Sequence, residues 1–524
     1  WNSQHYKSST ASHPPVLRMD AMTILAFVIY FIALIIIGVH FWKVKDRDSM
    51  EDYILGGRSF GPYVSAMSAQ ASDMSGWLLM GLPGSIVLAG LGQAWIGIGL
   101  LIGSYTSWLF VAKRLRKHSV VSKNSLTMPE FFSNRFADHK GYLRIVCAVV
   151  ILFFFTIYVG SGFQSCGIVL DMLLDNGGFE IGIIVGGAVI ILYTFLGGYK
   201  ALCWTDFFQA ILMVVVIVLV PLVIIGDVGW DTISAGWDDL VVSQGLEGYT
   251  SLFYNEGIPI SAVVIISGLV WGLGYYGMPH IVVRYMSIRK VSEIKVARRV
   301  SLIWGILALS FICLLGVIAG VYLPMNGIDI FNTGMYDSEY VFMYTAQVLF
   351  QETAPFILGV VFAAIMSTAS SQLLVSASSI TNDILAKTDR VHISERNLMW
   401  LARGIVVIIS IIGMCLALFG SDNIMGLVSY AWSGFGSAFS PVMILALFWK
   451  RMNWQGAMAA MITGFVVVVF WETFMDFTGM YSLFPGFILA FIVAVVVAKL
   501  TPPPSQEVLD EFEAAQNYED PEEA

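Results

Sequence analysis

The sequence predicts an all-α polytopic membrane protein with thirteen transmembrane helices, ten of them arranged as a five-plus-five inverted repeat. Three observations carry this expectation. The 524 residues are 57% hydrophobic and 12% charged, with a mean hydropathy of +0.77, whereas soluble domains carry about 25% charged residues. Apolar runs of about 20 residues, the length that crosses a bilayer as helix, recur from residue 21 to residue 500. Two of those runs are interrupted, and they lie five spans apart. Strands of a membrane β-barrel alternate apolar and polar residues instead of running continuously apolar, which excludes that class.

The spans fall near 21–42, 63–88, 93–113, 142–172, 181–199, 205–228, 258–281, 300–324, 354–385, 399–420, 424–448, 455–475 and 482–499. Basic residues orient them. Apart from Lys7 and Arg18, every Lys and Arg lies in one set of alternate loops or at the span ends facing it, while the long opposite loops 229–257 and 325–353 contain none. By the positive-inside rule the N-terminus is outside and the C-terminus cytoplasmic, as an odd number of spans requires.

Residues 1–18 lack periodicity and read as a vector-derived leader ahead of Met19, with no cleavable signal peptide. The first span and a cytoplasmic loop occupy 19–62. The two repeats cover 63–228 and 258–448, and two additional spans cover 449–500. Residues 501–524 hold eight acids and no base, so they account for most of the net charge of −9, and their composition reads as a disordered cytoplasmic tail. The five cysteines are scattered, with no CxxC, and read as small packing residues.

The first interrupted span contains "SAQASDMSGWLLMGLPGS" (68–85), with Asp73 among serines and no nearby base. A carboxyl at membrane depth costs about 2.5–3.5 kcal/mol on insertion scales, and such residues usually mark ion or solute paths. If the helix unwinds around Gly76, the carbonyls of Ala71 and Met74 are freed to face a cation. A second oxygen source is "AAIMSTASSQLLVSASS" (363–379), where Ser367 and Thr368 are adjacent and Ser371 follows one turn later. Hydroxyls at mid-span often bond back to the i−4 carbonyl, so this stretch gains weight only beside the broken span. Oxygen ligands without nitrogen or sulfur suit a hard ion.

The second interrupted span contains "WGLGYYGMPH" (271–280). Its formal GxGxxG match lacks the strand and soluble helix of a dinucleotide site, so the glycines read as helix breakers. Trp271 and Tyr275 are spaced to share a face, and Trp271 sits too deep for an interfacial belt, so an aromatic wall for a small, partly apolar solute is expected. Tyr158, Ser161 and Gln164 lie mid-span and either line a cavity or bridge helices. Arg58 and Asp206 lie at cytoplasmic span ends, open to salt-bridge, gating or snorkelling roles. Glu472, outside the repeats, reads as structural. No nucleophile elbow or P-loop supports hydrolysis or ATP-driven pumping, so the chain is expected not to be an enzyme.

Seven blocks in order, "ILGGRSFGP", "ASDMSGWLLMGLPG", "FFFTIYVGSG", "WTDFFQA", "WGLGYYGMPH", "MSTASSQLLV" and "LVSYAWSGFGSAFSPV", resemble the sodium/solute symporter family, nearest its proline-carrying members. The resemblance runs from about residue 21 to residue 500. It implies the leucine-transporter-type fold and sodium-driven symport of L-proline by alternating access, in a bacterial inner membrane. A solute such as pantothenate, a sugar or a carboxylate is the alternative within the family. It further implies a sodium site of backbone oxygens from Ala71, Met74 and Ala364 with the hydroxyls of Ser367 and Thr368. Asp73, Ser75, Trp77, Tyr158, Trp271, Tyr275 and Pro279 match positions near ion and substrate, and Arg58 with Asp73 match positions of coupling. Met278 and Gln93 depart from the proline carriers' glutamine and glutamate, which leaves fine specificity open. A receptor on a transporter fold would carry a longer signalling domain than this 24-residue tail, and a passive channel would not accumulate solute.

Overall fold

The computed structural model describes residues 50–174, 178–331, 337–385, 393–420 and 422–520, together with Leu25, Ile32 and Ile36. The described chain is helical apart from loops and one two-stranded ribbon pairing Tyr254–Asn255 with Ile258–Pro259. Its first complete span is split into α1 (Pro62–Asp73), a π-helical turn (Trp77–Gly81) and α2 (Leu82–Ala89). Helices α3 (Ala94–Thr106), α4 (Tyr142–Leu173) and α5 (Phe179–Val228) follow. The second half opens on another split span, α6 (Ala262–Val270) and α7 (Pro279–Ser287), bent by 45°. After it come α8 (Ile294–Met325), α9 (Ala354–Ile380), α10 (Glu395–Phe419) and α11 (Ile424–Phe448). A hairpin of α12 (Trp454–Phe474) and α13 (Leu483–Leu500) packs on α11, and α14 (Gln506–Asn517) closes the described chain.

Among the described residues, nine helices are long and apolar enough to cross a bilayer, and the bent α6–α7 pair makes a further span. The split α1–α2 and the short apolar stretch Phe179–Phe195 account for two more of the thirteen expected. Expected spans 181–199 and 205–228 are the two arms of α5, which breaks at Gly198, whose non-helical φ of +71° and ψ of 176° suit only glycine. The expected first span, 21–42, and the leader 1–18 lie outside the described residues apart from three isolated positions.

The two breaks have different causes. Helix α1 ends at Asp73: Met74 turns to φ −83°, ψ 85°, and the chain re-enters helix at Gly76. The unwound residues are therefore Met74 and Ser75, just ahead of the glycine. In the second break, Pro279 starts α7 and forces Met278 into an extended conformation (φ −68°, ψ 112°), as a residue before proline prefers. Between α6 and this point the chain tightens into a 3₁₀ segment, Trp271–Tyr276. Its glycines serve packing: a Cβ on Gly274 would strike the Trp432 indole, and one on Gly277 the Ser440 main chain of α11. Gly272 lies directly against Gly103 of α3, backbone on backbone, as small residues permit between membrane helices.

A charged cross-link sits beneath the breaks. Arg284 of α7 is fully buried. Its guanidinium donates to Asp206 Oδ2 of α5 at 3.1 Å, Ser68 Oγ of α1 at 3.1 Å, Ser371 Oγ of α9 at 2.7 Å and the His280 carbonyl at 2.6 Å. Asp206, also buried, accepts from Ser68 Oγ as well, at 2.7 Å. Four helices from both halves thus converge on one ion pair. Such a pair is worth little against an apolar replacement, but losing one partner strands a buried charge.

The acidic tail departs from expectation. Instead of being disordered, residues 506–517 form α14, packed against helices Lys113–Val121 and Met128–Arg135. Val508, Phe512 and Ala515, spaced four and three residues apart, are its buried face. The tail's acid content hid that stripe. Phe512 meets the His118 ring at 5.2 Å and the Arg135 guanidinium at 4.8 Å. Beyond the helix, buried Asp520 accepts from the Val291 amide at 2.6 Å and pairs with Arg116 at 3.5 Å. The exposed pairs Lys123–Glu507 and Lys450–Glu513 add little.

Two outcomes follow. Arg284→Met alone costs about 3–5 kcal/mol of stability, and pairing it with Asp206→Asn recovers part of that loss, read as thermal unfolding of detergent-solubilised protein. Phe512→Ala removes the anchor of α14, a cost of about 3 kcal/mol. It raises amide hydrogen exchange across residues 506–517 by about 100-fold and leaves α4 and α9 protected.

Candidate functional site

The site is built where α1 unwinds. Asp73, the last residue of α1, is fully buried. The Tyr275 phenol, from the second break, donates to its Oδ2, while Oδ1 has no hydrogen-bond partner. The Trp77 indole donates to the Asp73 carbonyl at 3.0 Å. Tyr158 of α4 turns its buried hydroxyl toward Ser75, Trp77 and the Asp73 carboxylate without completing a hydrogen bond. Residues from three helices expected around one site therefore meet around this carboxylate. A buried carboxylate oxygen and phenol left without partners form a polar surface suited to a ligand's donors.

On the other side of α1, the expected oxygens of α9 come together. Ser367 Oγ donates to the Ala71 carbonyl at 2.7 Å and lies 2.8 Å from the Ala364 carbonyl. Thr368 Oγ1 reaches the same two carbonyls at 3.2 and 3.4 Å. Two hydroxyls and two carbonyls from α1 and α9 thus form one cluster, all of it buried. The donor set is oxygen only, and the Ala71 carbonyl is freed because α1 stops at Asp73, so the residues fit a hard cation. Met74 sits at the break, but its carbonyl is not among the oxygens these hydroxyls touch. Ser371, one turn on, accepts from Arg284 and donates to the Ser367 carbonyl, which assigns it to the cross-link.

The aromatic wall forms on α11. Trp271 stacks on Trp432 (centroids 6.2 Å apart, planes 27°), and Tyr275 meets the same indole edge-on at 5.3 Å. The Trp432 Nε1 donates to the Trp271 carbonyl at 2.8 Å. Trp271 borders a cavity of about 290 Å³ toward the α12–α13 loop, whose lining includes Gln93, Trp471, Glu472 and Tyr481. Glu472, expected to be merely structural, lines this cavity while accepting from Ser482 Oγ at 2.6 Å. Gln93 borders it too, whereas Met278 is fully buried away from it. Pro279 is buried in the first turn of α7.

Other expected residues separate from this centre. Gln164 donates to the Asp422 carbonyl at 2.9 Å and Ser161 back-bonds to Tyr158, so both serve helix contacts. Arg58 lies beside the C-terminal end of α7 and does not snorkel. It donates to Ser119 Oγ (3.0 Å), the Ser125 carbonyl (2.9 Å), Asn124 Oδ1 (3.1 Å) and the Met286 carbonyl at the end of α7 (2.5 Å). Burial, reinforced by neighbouring Arg116, pushes the Arg58 guanidinium down to about 10. Arg116 runs parallel to it, donating to the Ile288 and Arg289 carbonyls at 2.7 and 3.1 Å. The two arginines clamp the C-terminal end of the second broken span onto the first half.

Sequence reasoning passed over Arg284, Trp432 and Tyr481. The signal for Arg284 is a lone base inside "PHIVVRYMS", a charge in an apolar run like Asp73 itself. Counting it among the loop-facing bases concealed it.

A family model described as "Sodium:solute symporter family" matches residues 53–464. The chain is 40% identical over 510 residues to the sodium/proline symporter of Escherichia coli K12, covering 95% of this chain and 97% of that one. It is 41% identical over 477 residues to the high-affinity proline transporter PutP of Bacillus subtilis 168, covering 90% and 98%. Among solved structures, a substrate-bound, outward-open Na⁺-coupled sialic acid symporter superposes with TM-score 0.74 at 18% identity, covering 93% of this chain and 99% of that one. The nucleobase-cation-symport-1 transporter Mhp1, closed on bromovinylhydantoin, gives 0.51 at 13%, covering 90% and 99%. These likenesses bear out the helical transporter fold and the expectation of a transporter over an enzyme. By its sequence from residue 53 to residue 464, this multi-pass membrane protein belongs to the sodium:solute symporter family.

Proposed function

We propose that the chain is a sodium-coupled symporter of L-proline, working by alternating access in a bacterial inner membrane with its N-terminus outside and its C-terminus cytoplasmic. The observation that carries this reading is the match of about 40% identity, over nearly the whole length of both chains, to sodium/proline symporters. The site chemistry supports it. Sodium is held by the Ala71, Met74 and Ala364 carbonyls with the Ser367 and Thr368 hydroxyls. The two hydroxyls gather the Ala71 and Ala364 carbonyls into one oxygen cluster. A cation among these oxygens ties α1 to α9 and orders Met74 and Ser75.

Ordering the break sets Asp73, Ser75, Trp77 and Tyr158 for the solute. Proline brings an ammonium, a carboxylate and an apolar ring. The free Asp73 Oδ1 accepts from the ammonium, and the Tyr158 hydroxyl is a donor for the carboxylate. Trp271 and Tyr275 offer the ring an aromatic surface, and Pro279 shapes the adjoining turn. A sugar would leave many hydroxyls wanting partners against such a wall. Because Tyr275 of the second break holds Asp73 of the first, solute and ion bias the same pair of broken helices, so each raises the other's affinity. Arg58 couples this to the cytoplasmic side through its hold on the end of α7. One cation moving inward gains about 2.3 kcal/mol per 100 mV, roughly a 50-fold accumulation before the sodium gradient is added.

Purified protein in liposomes is expected to concentrate labelled L-proline under an inward sodium gradient, more strongly with the interior negative, and to lose uptake when sodium is replaced by choline. Accumulation driven by protons alone, or stronger competition by pantothenate, a sugar or a carboxylate than by unlabelled proline, overturns the assignment. Ser367→Ala and Thr368→Ala each raise the sodium concentration for half-maximal uptake by about tenfold or more, the weight of one hydrogen-bonding oxygen to a charged group. An unchanged sodium dependence in both variants excludes the α1–α9 cluster as the ion site.

A further inference from the structure

The α12–α13 hairpin stands outside the ten-helix repeat, yet its loop reaches the aromatic wall. Tyr481 stacks on Trp271 with centroids 4.9 Å apart and planes 14° apart, a closer and flatter contact than Trp271 makes with Trp432. Its position is fixed from both sides. The Tyr481 amide donates to Ser267 Oγ of α6 at 3.0 Å, and its hydroxyl donates to the Ser429 carbonyl of α11 at 2.7 Å. The loop is itself braced, by Trp471 Nε1 on the Met480 carbonyl at 3.0 Å and by Ser482 Oγ on Glu472. The cavity of about 290 Å³ runs along Tyr481, Trp271, Gln93 and Glu472, at the small end of ligand-pocket sizes.

These contacts have a direction. Ser267 and Ser429 belong to the helices that carry Trp271 and lead to Trp432, so Tyr481 spans the two elements that form the wall. A flat ring stacked on an indole and tethered at both ends permits that indole few orientations. We propose that Tyr481 is a positioning residue for the solute: it holds the Trp271 ring in the plane that receives the proline ring and covers it toward the outside. The inference rests on the reading of Trp271 as part of the proline site. It assigns to the added hairpin a part in solute affinity and none in sodium binding, whose oxygens lie on α1 and α9.

The test is proline uptake by proteoliposomes carrying wild type, Tyr481→Phe, Tyr481→Leu or Tyr481→Ala. Tyr481→Phe keeps the ring and stays within about threefold of wild type in KM for proline. The Leu and Ala variants lose the stack and raise that KM about tenfold, with kcat and the sodium concentration for half-maximal uptake within about twofold. An unchanged KM in the Leu variant overturns the proposal. So does a fall in kcat or a shift in sodium dependence as large as the KM change, which would mark a general packing role. A measurement on wild type stands apart from how the variants fold: exchange of the Met480–Ser482 amides slows when proline and sodium are both present, and equal exchange with and without them overturns the proposal. Wild type that fails to take up proline refutes the substrate reading instead, so the two failures are told apart.

Discussion

Inside hydrocarbon, an unwound stretch of helix leaves carbonyls and amides that lipid cannot satisfy, and this constraint governs the centre of the molecule. Helix α1 stops at Asp73, and the carbonyls this releases must find partners within the protein. Ala71 finds the Ser367 and Thr368 hydroxyls of α9, and Asp73 finds the Trp77 indole through its carbonyl and the Tyr275 phenol through its carboxylate. The Trp77 link closes the break on its own span, while the others tie it to α9 and to the second break. The same interactions that make the gap tolerable in a membrane therefore also make it a meeting point of both repeats.

Below this centre, the protein concentrates its positive charge on main-chain carbonyls. Arg58, Arg116 and Arg284 between them engage the Ser125, His280, Met286, Ile288 and Arg289 carbonyls, all but the first along α7 and the residues after it. The Met286, Ile288 and Arg289 carbonyls, at and just past the C-terminus of α7, face the negative end of its dipole and lack intrahelical donors, which makes them natural partners for guanidinium groups. Asp520 adds the reverse pairing, an acid on the Val291 amide just beyond. The C-terminal end of the second broken span is held by guanidinium groups on main-chain carbonyls, whereas the centre of the site is held by hydroxyl, phenol and indole donors.

Much of the architecture was legible because membrane physics simplifies sequence. Span length, basic loops and a carboxyl in an apolar run each have few explanations in a bilayer, so the split spans and the α1–α9 oxygen cluster could be read from residues 68–85 and 363–379. What escaped notice was relational. Arg284 looked like one more loop-facing base until its helix placed it against Asp206. The stripe of α14 was drowned by eight acids, because composition averages over exactly the spacing that makes an amphipathic face. Glu472 was visible as an acid in an apolar run but read as structural, and Tyr481 carries no local signal: its importance comes from a hairpin folding back onto Trp271, and nothing near residue 481 announces the residue it will touch. Even the glycines of WGLGYYG were half understood, as breakers of a helix when they are also the space into which α11 fits.

The junction of Gly103 with Gly272 carries a mechanical meaning. Where two helices touch through side chains, a small shift is absorbed by rotamers that reshuffle, as springs between two rods would take up slack. Here main chain rests on main chain and there is nothing to compress. A push on the tight turn bearing Trp271 thus passes undamped into α3, and the two move as a single stiff lever, though one lies in each half of the molecule.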